Sequence, residues 1–329
     1  MEDTRHDSVG GNPGRATHRT PTTEAGIAAL LGVLGGLLGL APWLATGAQL
    51  PLQNLWEREV LPRDMPLALL PLSQYHGTTI VALLTVGASA AGVALRAWKP
   101  ARRRVATASA AGGVLLVHIT ATIQSFTAVS GGLAPGSRSS IYMAGLLGGT
   151  LGAIAAGVVV LPMLAAGSRA VAALGAGFMA VPFASWLATT ATFIAGPGGT
   201  PASLTLVWRW LPAVLVGLAL AWCGFTPIAR LWVWAADLAL LWLVPALFTS
   251  VNYVLGTRVY LGDFAEMAIL SRQILAATLG PAGGAGPVVL LALGIGLAGA
   301  LALGLVKRRD APATPQHGGK MRYDGGSPP

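Results

Sequence analysis

The sequence predicts an all-α protein, a polytopic integral membrane bundle of about eight transmembrane helices with both termini cytoplasmic. Three observations predict it. Only 10% of the 329 residues are charged, where a soluble domain carries about a quarter. The missing charge is swept out of eight apolar runs, each near the roughly 20 residues a helix needs to cross a hydrocarbon core about 30 Å thick. The basic residues that remain gather in alternate gaps between those runs, the bias that marks the cytoplasmic side of a membrane protein. Helices are expected rather than a barrel, because a barrel strand is short and alternating and these runs are continuous.

Residues 1–23 carry Gly10, Gly11, Pro13, Gly14 and Pro21 and few apolar side chains. They read as a disordered cytoplasmic tail, because they bury too little surface to offset the entropy of ordering. The transmembrane domain covers residues 24–306. Span 1, Ala25–Ala48, follows Arg15 and Arg19. Its rival reading is a signal peptide ending at Ala45-Thr46-Gly47-Ala48, but such a peptide has an apolar core of about 7–15 residues, and this run is longer. Span 2 is Thr78–Leu95, and Arg96, Lys99, Arg102, Arg103 and Arg104 separate it from span 3, Val105–Ala128. Span 4, Ser140–Leu164, is divided by Arg169 from span 5, Ala170–Ile194. Span 6 is Leu204–Phe225, and Arg230 separates it from span 7, Leu231–Leu255. Span 8, Pro287–Val306, runs into Lys307, Arg308 and Arg309 and a second disordered tail, 307–329. With an even number of spans all these basic residues share one side, and the other side holds Arg58, Arg63, Arg138, Arg258 and Arg272 diluted by Glu57, Glu59, Asp64, Asp263 and Glu266. Trp43, Trp208 and Trp210 fall near outer ends and Trp98, Trp222, Trp232 and Trp234 near inner ends, as indoles at the headgroup level do.

Two outer loops are long, 49–77 and 256–286. In the first, Leu67, Leu69, Leu70 and Leu72 suit a segment lying on the membrane surface. In the second, Asp263 with Glu266 three residues on is a capping-box-like start, followed by Phe264, Met267, Leu270, Ile274 and Leu275 near helical spacing and stopped by Gly280-Pro281. A short amphipathic helix is predicted over 264–279. Spans 1 and 4 share a glycine pattern, Gly32/Gly35/Gly36/Gly39 and Gly145/Gly148/Gly149/Gly152. Small-xxx-small pairs let helix backbones approach closely, so both spans are expected to pack tightly, against each other or against neighbours.

The net charge of +9 is explained by topology, and no nucleic-acid partner is expected. The partners expected are the lipid bilayer and, through the outer loops, a membrane or envelope protein. Cys223 is the only cysteine, so an internal disulfide and CxxC chemistry are excluded. Gly294-Ile-Gly296-Leu-Ala-Gly299 spells a dinucleotide fingerprint, but inside an apolar span with no strand before it. No Walker A or HExxH motif occurs, and His6, His18, His76, His118 and His317 form no ligand-spaced set. No cofactor or metal is expected. Arginine far outnumbers lysine and Ala and Gly abound, which associates the chain with a bacterial plasma (inner) membrane.

What remains is polar chemistry at membrane depth, a candidate ligand or ion pathway of His118, Gln124, Arg209, Asp237 and Asn252. Asp237 is the one carboxylate well inside a span, about 9 Å from its inner end by helical rise. It reads either as a proton or cation site or as a contact towards Arg230 or a neighbouring helix. In span 3, His118, Thr122 and Ser125 share a face, with Thr120, Gln124 and Thr127 beside them, and both stripes are expected to point inward. If spans 3, 6 and 7 adjoin, His118, Gln124, Arg209 and Asn252 line an outward pocket for an anionic or polar ligand. Pro182, Pro212 and Pro245 interrupt spans 5, 6 and 7. These features favour a permease-like transporter of a small solute or ion, with a non-catalytic subunit or envelope scaffold as the alternative. An intramembrane enzyme ranks last, since His118 and Ser125 lie two turns apart on one helix.

Overall fold

The computed structural model describes residues 21–195, 201–257, 263–280 and 283–309. Among them the chain forms nine α-helices: α1 (Pro21–Ala45), α2 (Gly77–Trp98), α3 (Arg103–Ser130), α4 (Ser137–Ala165), α5 (Arg169–Ala195), α6 (Ala202–Cys223), α7 (Leu231–Gly256), α8 (Phe264–Leu279) and α9 (Ala285–Arg309). All but α8 are long and apolar enough to cross a membrane, eight in total. The protein is therefore a multi-pass membrane protein. Each predicted span is recovered with ends shifted by a few residues. Pro21, Thr22 and Thr23, assigned to the tail on sequence, are the first turn of α1, where proline's missing N–H costs nothing. The remaining tail residues, 1–20 and 310–329, lie outside the described residues.

Side-chain contacts define two ends of the bundle. At the arginine end, the Glu24 carboxylate accepts from the Ala101 and Arg102 backbone N–H groups at 3.1 and 3.2 Å. Arg96 donates to the Ala166 carbonyl, Arg96 and Arg169 lie 4.7 and 5.9 Å from the Trp222 ring centre, and Arg230 donates to the Cys223 carbonyl. The starts and ends of α1 to α7 that sequence placed on one side thus meet. The loop end carries residues 49–77 and α8.

Two packing groups share the bundle. In the first, α2 packs against α1 and α4, and α1 against α3. In the second, α5, α6, α7 and α9 pack around Val216, Leu220, Trp234 and Leu241. Helix α5 joins them through Val86, Val160, Leu164 and Met179. The glycines of α1 deliver the close packing expected of them: Gly32 lies on the Ala110 backbone of α3, and Gly35 and Gly39 on the α2 backbone near Gly87 and Leu83. Those of α4 do not. Among the described residues, a Cβ at Gly145, Gly148, Gly149 or Gly152 would meet no atom within 4 Å outside its own helix backbone. Helix α4 packs on α2 through a different face, Ala153, Gly157, Val160 and Leu161, so its glycine stripe is left open. In α9 two of the three nucleotide-like glycines serve packing, Gly296 against Leu220 and Trp234 and Gly299 against Ala221, while Gly294 is open.

The leucine stretch of loop 49–77 does not lie on the surface. Of its four leucines, Leu70 and Leu72 are fully buried and only Leu67 is largely exposed, at 64%. The cause is hydrogen bonding from α3. Gln124 Oε1 accepts from the Leu69 N–H and its Nε2 donates to the Leu67 carbonyl, while Ser125 Oγ accepts from the Leu70 N–H at 2.8 Å. Trp43 adds an indole bond to the Ala68 carbonyl. With its backbone groups satisfied inside the bundle, the segment buries its leucines there. Helix α8 matches its prediction residue for residue. Asp263 caps it, accepting from the Ala265 and Glu266 N–H groups at 3.1 and 3.2 Å. It docks on α7 through Ser271–Ser250 (3.0 Å) and the Trp242 bond to the Leu279 carbonyl.

Candidate functional site

The five candidate residues separate. His118 is buried on α3 with Nε2 unpartnered, and Gln124 is spent on the loop. Asn252 on α7 accepts from Thr78 on α2 at 3.1 Å. The condition for a shared pocket of His118, Gln124, Arg209 and Asn252 is not met, because α3 packs on α1, α2 and α4 while α6 packs on α5, α7 and α9. The inward stripe of α3 is also half of what was expected. His118, Thr122 and Ser125 are buried, but Thr120 and Thr127 are exposed. Thr127 can sit there because its hydroxyl donates to the Ile123 carbonyl of its own helix.

Arg209 and Asp237 belong to a different arrangement. Between α5, α6 and α7 at the loop end lies a cavity of about 640 Å³, closed above by Thr278 and the Gly283–Ala285 turn. Arg209 lines it, exposed, with its guanidinium 5.4 Å from the Trp210 ring centre. Among the described residues no carboxylate pairs with it. Pro212 and Pro245 also line the cavity, next to Trp208 and Leu241. A helical proline removes the donor for the carbonyl four residues earlier. Here those carbonyls belong to Trp208 and Leu241, two residues that also line the cavity, so each proline removes one i→i−4 bond beside it. Pro182, in α5, neighbours the lining residue Val181.

Leu241, 2% exposed, is the deepest lining residue contributed by α7. Asp237 sits one turn below it, about 6 Å by helical rise. The Asp237 side chain is 0% exposed, and neither carboxylate oxygen has a hydrogen-bond partner. It reaches neither Arg230, which is bound to the Cys223 carbonyl, nor a donor on an adjacent helix. Gly177 of α5 makes room for it, since a Cβ there would fall on the carboxyl group. An ionised carboxylate so placed carries a desolvation cost of several kcal/mol with nothing to offset it. Helix α5 is thereby cut away at the one position that accommodates Asp237. The sequence placed Asp237 at depth but had no signal for its partner glycine, because Gly177 matters only through the α5–α7 contact.

A second cavity, also about 640 Å³, opens between α4 and α7, with the loop end of α2 and the start of α8 closing it. None of the five candidates lines it. Comparison with known protein families, with curated proteins and with solved structures gives no match.

Proposed function

We propose that this protein is a permease for a small anionic or polar solute, with the Arg209 cavity as its binding vestibule and Asp237 as the residue that carries a coupling proton. One observation carries the reading: a carboxyl group with no partner among the described residues lies one turn beneath the floor of a cavity whose lip holds a guanidinium that no described carboxylate pairs. The guanidinium supplies a bidentate site for a carboxylate or phosphate. The Trp208 and Leu241 carbonyls, whose i→i−4 donors the prolines remove, are available to accept from the solute's donors. The proline-broken helices supply walls able to bend, as discontinuous helices do in transporters. Moving Leu241 aside joins the cavity to Asp237, and a proton taken or released there couples to the solute above.

The test is uptake into proteoliposomes from a panel of small anions, chosen by thermal-shift screening of the purified protein. Arg209→Gln is expected to raise the KM for the active solute about tenfold or more, the loss of one charged hydrogen-bonding partner. Asp237→Asn is expected to abolish accumulation driven by a proton gradient while leaving solute binding intact. Binding and uptake unchanged in both variants would end the proposal. The alternative, an envelope scaffold or membrane subunit, draws on one observation, the folded cap of loop 49–77 with Leu52, Leu61 and Leu67 exposed on it. No uptake of any panel member, together with a stoichiometric partner lost on Leu67→Asp, would favour that reading.

A further inference from the structure

The groove between α4 and α7 is built unlike the Arg209 vestibule. Gly145 and Gly149, with open space where side chains would be, form its α4 wall, and Leu247 and Val251 face it from α7. Apart from Thr150, whose hydroxyl donates to the Leu146 carbonyl of its own helix, its polar groups gather at the loop end. Arg138 lies at the start of α4, exposed, and among the described residues it has no carboxylate within salt-bridge distance. Gln74 is 3% exposed, lines the groove, and has no acceptor for its Nε2. A buried amide donor without a partner among the described residues costs about 1–3 kcal/mol, a cost that an acceptor bound in the groove offsets once the Gln74 side chain turns toward it. The α4 lining runs from Arg138 to Thr150, about 18 Å by helical rise. That is close to half of a hydrocarbon core about 30 Å thick, the depth of one leaflet.

We propose that this groove holds one long-chain phospholipid with an anionic headgroup, its phosphate at Arg138 and Gln74 and an acyl chain lying along Gly145 and Gly149. The two ends of the groove require the two ends of such a molecule. A free phosphate would leave the glycine-walled length empty, and a hydrocarbon alone would leave Arg138 and the Gln74 amide unmatched.

The test is native mass spectrometry of the full chain released from nanodiscs of mixed long-chain phosphatidylglycerol and phosphatidylcholine. Wild type is expected to retain one phosphatidylglycerol. Gly149→Leu fills the groove and is expected to reduce retention about tenfold, the loss of burial for two methylene groups. Gly148→Leu is the control, on the same helix and equally open, but outside the groove lining, and is expected to retain lipid as wild type does. Circular dichroism melts of both variants confirm that neither unfolds. Arg138→Gln with Gln74→Leu is expected to erase the preference for phosphatidylglycerol over phosphatidylcholine. Equal retention in Gly149→Leu and wild type, displacement of the lipid by inorganic phosphate, or a dimer that both glycine variants dissociate without loss of lipid would each overturn the proposal.

Discussion

Helices α1 and α4 carry the same glycine pattern and put it to opposite uses. In α1, Gly32, Gly35 and Gly39 face the backbones of α3 and α2 so closely that a Cβ would collide with main-chain atoms. In α4 the matching Gly145, Gly148, Gly149 and Gly152 face nothing within 4 Å. A small-xxx-small pattern therefore specifies a surface that permits close approach, and only the neighbouring helix decides whether the approach happens. The energetic consequence is large, because an added side chain costs what its surroundings cannot yield.

Substitutions break or sharpen that contrast. The largest effect is expected for Gly32→Leu, which drives a side chain into the Ala110 backbone and lowers stability by about 3 kcal/mol or more, read as a loss of folded protein in detergent unfolding. Next is Gly177→Ala, where the added methyl meets the Asp237 carboxyl, with an expected cost of about 1–3 kcal/mol. The double variant with Asp237→Ala is expected to recover most of it, a coupling that a double-mutant cycle measures. Ser125→Ala strips the Leu70 N–H of its buried acceptor, with an expected loss of about 1–3 kcal/mol and faster proteolysis within loop 49–77. Thr127→Val, half a turn along the same helix but exposed, is expected to change stability by less than about 0.5 kcal/mol. The smallest effect is expected for Gly148→Leu, also within about 0.5 kcal/mol. A loss there as large as that of Gly32→Leu would show that the α4 stripe is covered after all and end the comparison.

The same contrast marks how far the sequence could be read. The spans were legible because lipid imposes a length and a composition on each helix, and α8 was legible because its cap and its stop are local. Asp237 was legible as a carboxylate inside an apolar helix, and Arg209 as a cation in the first half of its own. The grouping of candidates was not. It was conditional on α3 meeting α6 and α7, and helix adjacency depends on which face each neighbour takes. Leu70 and Leu72 misled for the same reason, since their fate was set by Gln124 and Ser125, more than fifty residues away. The α4–α7 groove had no sequence signal at all: its glycines looked like packing, and nothing local marks Gln74.

The clasp at Glu24 has a consequence for how the chain is made and handled. A charged acceptor holding two successive amides contributes roughly 1.5–3 kcal/mol per bond, and its donors, Ala101 and Arg102, emerge from the ribosome only after the second span. The opening helix is therefore without this clasp until the second span has been made. An expression tag that replaces the leading residues must stop short of that glutamate, or it will sever the first helix from the elbow that anchors it.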